Sequence, residues 1–569
     1  MSLMIKNDFL SVCSGLPKRL GTLAAAAVLC GTATAQVKTE TPLMGWSSWN
    51  TYRVNISDSL IMRQADAMVE KGLKRAGYEY VNTDDGFFGG RNAATGRLLV
   101  HPTRFPRGLK PVVDHIHALG LKAGIYSDAG SNTCGNYYDN DTIAVGVGLY
   151  RHERQDAEMF FKELGYDFIK IDDCGFRSGK NHERRGMDTE ERYRAIHQAI
   201  EGVRPEQAVR VNVCRKGYPG KWVYDVATSW RISNDIRPRW SSVRNIINLN
   251  LYLAPYARQG CYNDMDMLEV GRGMSREEDR THFGMWCIMA SPLLIGCDMT
   301  KLEGPTLELL SNKELIAINQ DPLGLQAEVV RRSWADSTVV LAKDLLERNG
   351  TTRAVAFYNY GNRPQEMAIG LRELLLDGNV TAHDAFSGMQ SDNGRNSKQK
   401  KSENGMAVFS DGEIRTVVPA HGVRIYRLVA ERRLEQTRYE AETAFLSAFQ
   451  QLYNPIAVGT AFYERDSLCS GGMKVVNLGQ RAKNDIVWEN VYSRDGGSYE
   501  LTVRCLSDKA QQIYVSVNDG ASILLDIEAG TTDAKVSIVL NPGRNTVRLF
   551  NDSQSMPDID YMDIRPQGI

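Results

Sequence analysis

The sequence predicts a (β/α)8 barrel followed by an antiparallel β-domain and a C-terminal β-sandwich of jelly-roll type. Three observations carry this. Between residues 41 and 324, eight short apolar runs of β-prone residues alternate with longer polar segments of helical period, the pattern of parallel strands joined by crossover helices. Polar and aromatic residues collect at the C-terminal ends of those runs, and a barrel assembles its chemistry at that rim. After Asn319-Gln320-Asp321-Pro322-Leu323-Gly324 the helical period stops and alternating β patterns with turn signals take over.

Residues 1–35 read as a secretory signal. Lys18 and Arg19 precede an apolar run from Leu20 to Cys30, and Ala33-Thr34-Ala35 offers a small-x-small cleavage site. The run is too short to span a bilayer, and Leu29 before Cys30 fits a lipoprotein site poorly. Secretion or periplasmic export is therefore expected, into an oxidising compartment where cysteines pair. Eight of the ten cysteines follow the proposed cut; they are too sparse for a disulfide scaffold, and none has Cys-x-x-Cys metal spacing. A net charge of −1 offers nothing to nucleic acid or an anionic membrane surface, and no later stretch is apolar enough to cross a membrane. The oligomeric state is not readable.

The barrel is expected over 36–325, with strands at 43–50, 78–85, 122–128, 167–173, 209–214, 228–235, 260–266 and 292–296. Between the first two, residues 57–76 carry Leu60, Ile61, Ala65, Met68 and Val69 at helical spacing. An open doubly wound sheet is the alternative. It usually carries a Gly-rich phosphate loop after its first strand, and Met44-Gly45-Trp46-Ser47-Ser48-Trp49 is not one. The strand ends carry Trp49, Asp84, Asp85, Tyr126, Asp128, Lys170, Asp172, Asp235, Asp264 and Asp266, residues that buried strand centres do not hold unpaired. Two clusters stand out: Phe168-Ile169-Lys170-Ile171-Asp172-Asp173-Cys174 and Trp230-Arg231-Ile232-Ser233-Asn234-Asp235. Two carboxylates on different strand ends are the minimum equipment for hydrolysing a glycosidic bond. The histidines show no ligand spacing. Beyond the barrel, residues 326–429 read as the antiparallel β-domain, with a polar, lysine-rich loop at 391–402. Residues 430–438 read as a charged linker and 439–569 as the sandwich, with strands at 498–505, 512–518 and 546–550.

Taken in order, Thr41-Pro42-Leu43-Met44-Gly45-Trp46, the run ending in Asp84-Asp85, Gly124-Ile125-Tyr126-Ser127-Asp128 with Thr133-Cys134, Lys170-Ile171-Asp172, Asn263-Asp264-Met265-Asp266-Met267-Leu268 and Ser291-Pro292-Leu293 resemble glycoside hydrolase family 27, the retaining α-galactosidase and α-N-acetylgalactosaminidase group. The resemblance runs from residue 41 to about 428. It implies Asp172 as nucleophile and Asp235 as acid/base. It implies a sugar pocket lined by Trp49, Asp84, Asp85, Tyr126, Lys170, Arg231, Asp266 and Met267, and a disulfide between Cys134 and Cys174 beside the nucleophile. No cofactor is expected for catalysis, and a carbohydrate is the expected partner. The C-terminal segment resembles carbohydrate-binding modules of families 6 and 35, through Tyr439-Glu440-Ala441-Glu442, Ser470-Gly471-Gly472 and Asp558-Ile559-Asp560-Tyr561-Met562-Asp563-Ile564. That resemblance implies a structural calcium on Glu440, Glu442 and Asp563, whose oxygen-only ligands suit a hard cation.

Retention requires an ionised Asp172 and an initially protonated Asp235, held about 5–5.5 Å apart. Lys170, two residues before Asp172, points to the same side of the strand and favours the charged nucleophile. Asp84 and Asp85 diverge and are expected to accept from sugar hydroxyls, with Trp49 stacked on the sugar's apolar face.

The chain departs from the family at the end of the fifth strand. The family usually has Cys-Glu-Trp or Cys-Ser-Trp where this chain has Cys214-Arg215-Lys216-Gly217. With Arg237 and Arg239 after Asp235, these basic residues lead to the expectation that the substrate carries a sulfate or carboxylate, for which an arginine fork is suited. The opposing expectation is that neighbouring acids neutralise them. A β-L-arabinopyranosidase, an α-N-acetylgalactosaminidase and a non-catalytic carbohydrate-binding barrel are the alternatives.

Overall fold

The structure, a computed structural model, describes residues 40–177, 188–204, 206, 208–389, 406–409, 412–451 and 459–567. The signal segment and the polar run 391–402 lie outside the described residues. Eight strands form the first sheet: β1 (Met44–Ser47), β2 (Tyr80–Thr83), β3 (Lys122–Asp128), β4 (Phe168–Asp172), β5 (Arg210–Cys214), β6 (Ser229–Arg231), β7 (Tyr262–Asp264) and β8 (Leu293–Ile295). They are parallel and pair in the order β8-β1-β2-β3-β4-β5-β6-β7. Leu268 closes the ring: its N–H donates to the Leu294 carbonyl at 2.7 Å and its carbonyl accepts from Gly296 N at 3.0 Å. Each strand falls inside its predicted run, and the runs overreach where polar residues leave the sheet. Trp49 already begins a helical turn, Trp49–Tyr52.

Period-two alternation sorts the strand residues. Ile169 and Ile171 of β4 are buried among the apolar residues of the core, while Lys170 and Asp172 share the opposite face. Interior space is tight: a Cβ on Gly124 of β3 would lie 1.9 Å from Asn82 Oδ1 and 2.8 Å from the Phe168 ring, so only glycine fits there. The expected helix at 57–76 starts as predicted, Ser57 Oγ accepting from Leu60 N at 3.2 Å. It runs over Asp58–Glu70 and stops because Gly72 turns left-handed (φ 79°); a separate turn, Leu73–Ala76, follows.

The antiparallel domain has a six-stranded and a two-stranded sheet around its own core of Val355, Phe357, Ile369 and Leu428. Its last strand, Val423–Arg433, takes up the first residues of the stretch read as a linker. Charge misled the reading there. Arg432 and Arg433 stay in register with Asp377 and Leu376, and their guanidinium groups pair with Asp377 at 2.7 Å and Asp344 at 3.3 Å. The C-terminal part forms two facing antiparallel sheets, one of them carrying Arg438–Glu440 beside Asp558–Pro566. This sandwich is seated on the barrel through aromatic rings: Phe449 stacks on Tyr256 at 4.7 Å, Phe445 lies 5.1 Å from Tyr256, and Tyr463 lies 5.9 Å from Tyr252. Among the described residues, no helix is long and apolar enough to cross a membrane.

Candidate active site

The C-terminal rim of the barrel gathers the strand-end residues. Asp172 ends β4 and is 9% exposed. Its Oδ1 accepts from Asp173 N at 2.9 Å. Burial pushes its carboxyl up to about 7; Lys170 opposes this, while Asp173 and Asp235 add to it. Lys170 donates to Asp84 Oδ2 at 3.1 Å and lies 5.2 Å above the Tyr126 ring. Burial works against the lysine's charge, but Asp84 and Asp172 outweigh it and raise its pKa.

Asp235 lies four residues beyond the end of β6. Arg231, the buried last residue of that strand, donates to Asp235 Oδ1 at 3.2 Å and pairs with Asp266 Oδ2 at 2.6 Å. Desolvation would raise the Asp235 carboxyl. Its side chain is 65% open to solvent, however, and the cations Arg231, Lys170 and Lys216 hold it below the usual carboxylate range. Asp266 follows β7 with a left-handed backbone (φ 77°), a strained conformation that aspartate tolerates better than most residues. Its oxygens accept from Ile236 N and Met267 N, each at 2.8 Å. Asp84, Lys170, Arg231, Asp266 and Met267 line one small cavity inside the rim.

Adjacent Asp84 and Asp85 diverge, as expected, with different outcomes. Asp84 faces Lys170. Asp85 is fully buried, and its oxygens accept from Gly86 N at 2.8 Å and Gly135 N at 2.6 Å. Burial pushes its carboxyl up to about 7 against those amides. Through Gly135 it holds the loop that carries Cys134. Tyr126 accepts from Cys134 N at 3.3 Å on the same loop. Cys134 and Cys174 form a disulfide with Cα atoms 5.4 Å apart, and Cys134 Sγ lies 3.4 Å from Asp172 Oδ2. Trp49 is half-buried, with the Arg53 guanidinium 4.1 Å from its ring centre. Arg215 is half-buried just past β5. Lys216, Asp235, Arg237 and Arg239 border a surface depression of about 460 Å³, and among the described residues the three cations enter no ion pair.

Two anchoring roles escaped the sequence reading. Asp128 was visible as a strand-end acid but had no assigned role: its Oδ1 accepts from Gly130 N at 2.7 Å and Gly175 N at 3.0 Å, fixing the loops on both sides of the disulfide. Asp264 accepts from Asp266 N at 2.8 Å and so sets that residue's turn.

In the C-terminal sandwich, Ser470 ties Glu440 to Asp560: its Oγ donates to Glu440 Oε1 at 2.8 Å and its N–H to Asp560 Oδ1 at 2.9 Å. Oε2 of Glu440 and of Glu442 are buried without a hydrogen-bond partner. Burial pushes Glu440 to about 7, Glu442 well above the usual range and Asp560 to about 6. Asp563 does not join them. Its carboxylate is held by the Arg438 fork at 2.9 and 3.1 Å. Of the three acids expected to hold a calcium, Asp563 is thus taken up by Arg438, and along Asp558–Pro566 the alternation turns Asp560 toward the two glutamates.

An acid pair on a barrel rim is the apparatus of glycosidic-bond cleavage, and similarity to known enzymes agrees: this is a glycoside hydrolase. The alpha galactosidase A family matches residues 41–321. Alpha-galactosidase 2 of Arabidopsis thaliana is 41% identical over 51% of this chain and 69% of its own. Alpha-galactosidase A of Cellvibrio japonicus is 36% identical over 68% of this chain and 92% of its own. The crystal structure of alpha-galactosidase I from Mortierella vinacea superposes with a TM-score of 0.60 at 30% identity, covering 69% of this chain and 98% of its own. The chain belongs to the alpha galactosidase A family, glycoside hydrolase family 27.

Proposed function

We propose that the protein removes terminal α-D-galactosyl residues from oligo- or polysaccharides by double displacement, with Asp172 as nucleophile and Asp235 as acid/base. The observation that carries this is the pair itself: a buried strand-end carboxylate beside Lys170, and a second carboxylate, within reach of its charge, on Arg231. In the first step a carboxylate oxygen of Asp172 bonds to the anomeric carbon as the glycosidic bond breaks, and Asp235 gives its proton to the departing oxygen. In the second, Asp235 takes a proton from water, whose oxygen displaces Asp172. In the free enzyme Asp235 is exposed and held anionic by its cations. An aglycone covering it removes that solvent and raises its affinity for the proton. Trp49, Asp84, Tyr126, Lys170, Arg231, Asp266 and Met267 form the sugar site, and Asp85 acts through the Cys134 loop. Proton NMR of the first product tests the stereochemistry: α-galactose is expected to appear before mutarotation, and β-galactose as first product overturns the reading.

The unpaired cations around the depression at Asp235 favour a second reading, in which the group beyond the scissile bond carries sulfate or carboxylate. A sulfated aglycone should then raise kcat/KM over the neutral galactoside, with the preference shrinking at high salt as charges are screened and in Arg237→Ala. Equal rates on both substrates in low salt remove it.

The C-terminal sandwich is read as a carbohydrate-binding module with a structural calcium on Glu440, Glu442 and Asp560. The two orphaned oxygens and the oxygen-only donor set suit that ion. Without a cation, carboxyls whose pKa folding raises stabilise fully only below their unfolded values, and that contribution is lost as pH rises through about 6 to 7. Chelation is therefore expected to lower Tm by several degrees at pH 8 and hardly at pH 4.5, where protonated carboxyls bind no cation. An unchanged Tm at pH 8 argues against calcium. A reading of residues 1–35 as a signal, and hence of export, rests on the sequence alone.

A further inference from the structure

We propose that Gln451, from the C-terminal sandwich, is a positioning residue for the acid/base loop of the barrel; this rests on the reading of Asp235 as acid/base. Gln451 is 4% exposed. Its Oε1 accepts from Tyr218 N at 2.8 Å, and its Nε2 donates to the Ile232 carbonyl at 2.8 Å. Those contacts fall on the two loops that border Asp235. Tyr218 stands two residues after Lys216, and Ile232 lies between Arg231 and the Ser233-Asn234-Asp235 turn.

Ile232 is held from both sides. Its N–H donates to the Asp264 carbonyl at 3.1 Å, on the neighbouring strand, and its carbonyl is held by Gln451. The two successive peptide units that flank Ile232, where the turn toward Asp235 begins, are thereby each held by one hydrogen bond. One side chain also ties this turn to the loop carrying Arg215 and Lys216, so the distance between the two loops is set by the length of a glutamine. The primary amide supplies the acceptor and the donor that these two backbone groups need, whatever the pH.

The segment that delivers Gln451 is itself fixed. Leu446 N donates to Tyr256 OH at 3.2 Å, Phe449 stacks on Tyr256 at 4.7 Å, and Tyr218 lies 4.5 Å from the same ring. The sandwich is thus part of the frame of the catalytic face, and the barrel's acid/base turn is completed by a residue from outside the barrel.

A general acid works only within hydrogen-bond reach of the leaving oxygen. Loss of its support therefore shows first on substrates whose leaving group needs the proton. Gln451→Met keeps length and removes both bonds; Gln451→Glu keeps the acceptor and loses the donor to Ile232. In the full-length enzyme, each is expected to lower kcat/KM for methyl α-galactoside about tenfold. For p-nitrophenyl α-galactoside, whose leaving group departs without protonation, the loss should stay under about threefold. Melting temperatures set an assay temperature at which every variant is folded.

Equal losses on the two substrates, or none on either, overturn the proposal and leave Gln451 as a structural contact. Asp235→Ala is the control and should show the same split at its largest. If it shows none, the acid/base reading fails whatever Gln451 does. If it splits the substrates and folded Gln451→Glu does not, the positioning role alone fails.

Discussion

Asp172→Ala reduces kcat on p-nitrophenyl α-galactoside by a factor on the order of 10⁴ or more, with Tm close to that of the parent. The magnitude follows from loss of the covalent step, which no neighbouring group replaces. Asp173, adjacent in sequence, extends to the other side of the strand end by the same alternation and gives its N–H to Asp172, and Lys170 is cationic. The folded state tolerates the change because Asp172 carries a buried carboxyl whose ionisation burial disfavours; removing it removes that penalty. Small anions give the sharper readout. Azide entering the vacated space attacks the anomeric carbon directly, and the product is β-galactosyl azide, of inverted configuration. Residual activity within about tenfold of wild type would identify a different nucleophile. Sugar binding by the wild type without turnover of any glycoside would support the non-catalytic alternative.

Asp235→Ala gives the second large effect, and its size depends on the leaving group. On alkyl galactosides the loss is expected at about 10² to 10⁴-fold, the range general acid catalysis supplies, and on activated aryl galactosides the first step is spared. The pH profile adds a signed test. Asp235 is among the charges that raise Asp172, so the two carboxyls titrate in linked steps, a lower and an upper one. The productive pair holds one proton. The upper value lies at about 7, where burial has pushed Asp172, and the lower lies below the ordinary carboxyl range, where Arg231 holds Asp235. Wild-type kcat/KM therefore falls as pH rises through about 7, when the pair loses its last proton. In Asp235→Ala that fall disappears for the activated substrate, which needs no proton. A limb that survives in the variant assigns the titration to another group, and fully buried Asp85, also pushed up to about 7, is the next candidate.

The sequence by itself determined the barrel, strand by strand, because each strand writes its own signal: a short apolar run, period two, and a polar residue where the chain leaves the sheet. Lys170 and Asp172 share a face by that arithmetic alone. Local signals were silent or misleading where the partner is distant. Arg432 and Arg433 read as part of a charged linker, yet they extend a strand and meet Asp377 and Asp344. Asp563, grouped with Glu440 and Glu442 from the sequence, pairs with Arg438, while Asp560 shares Ser470 with Glu440.

Only the tertiary structure decided which of two adjacent acids lines the pocket and which anchors a loop, since Asp84 and Asp85 differ in partners and not in type. It also brought Gln451, 219 residues from Ile232 in sequence, onto the Ile232 carbonyl three residues before Asp235. The physical reason is one of range: backbone periodicity and turn chemistry act over a few residues, whereas hydrogen-bond partners and the charges that set a carboxyl's proton affinity come from segments that only folding brings together.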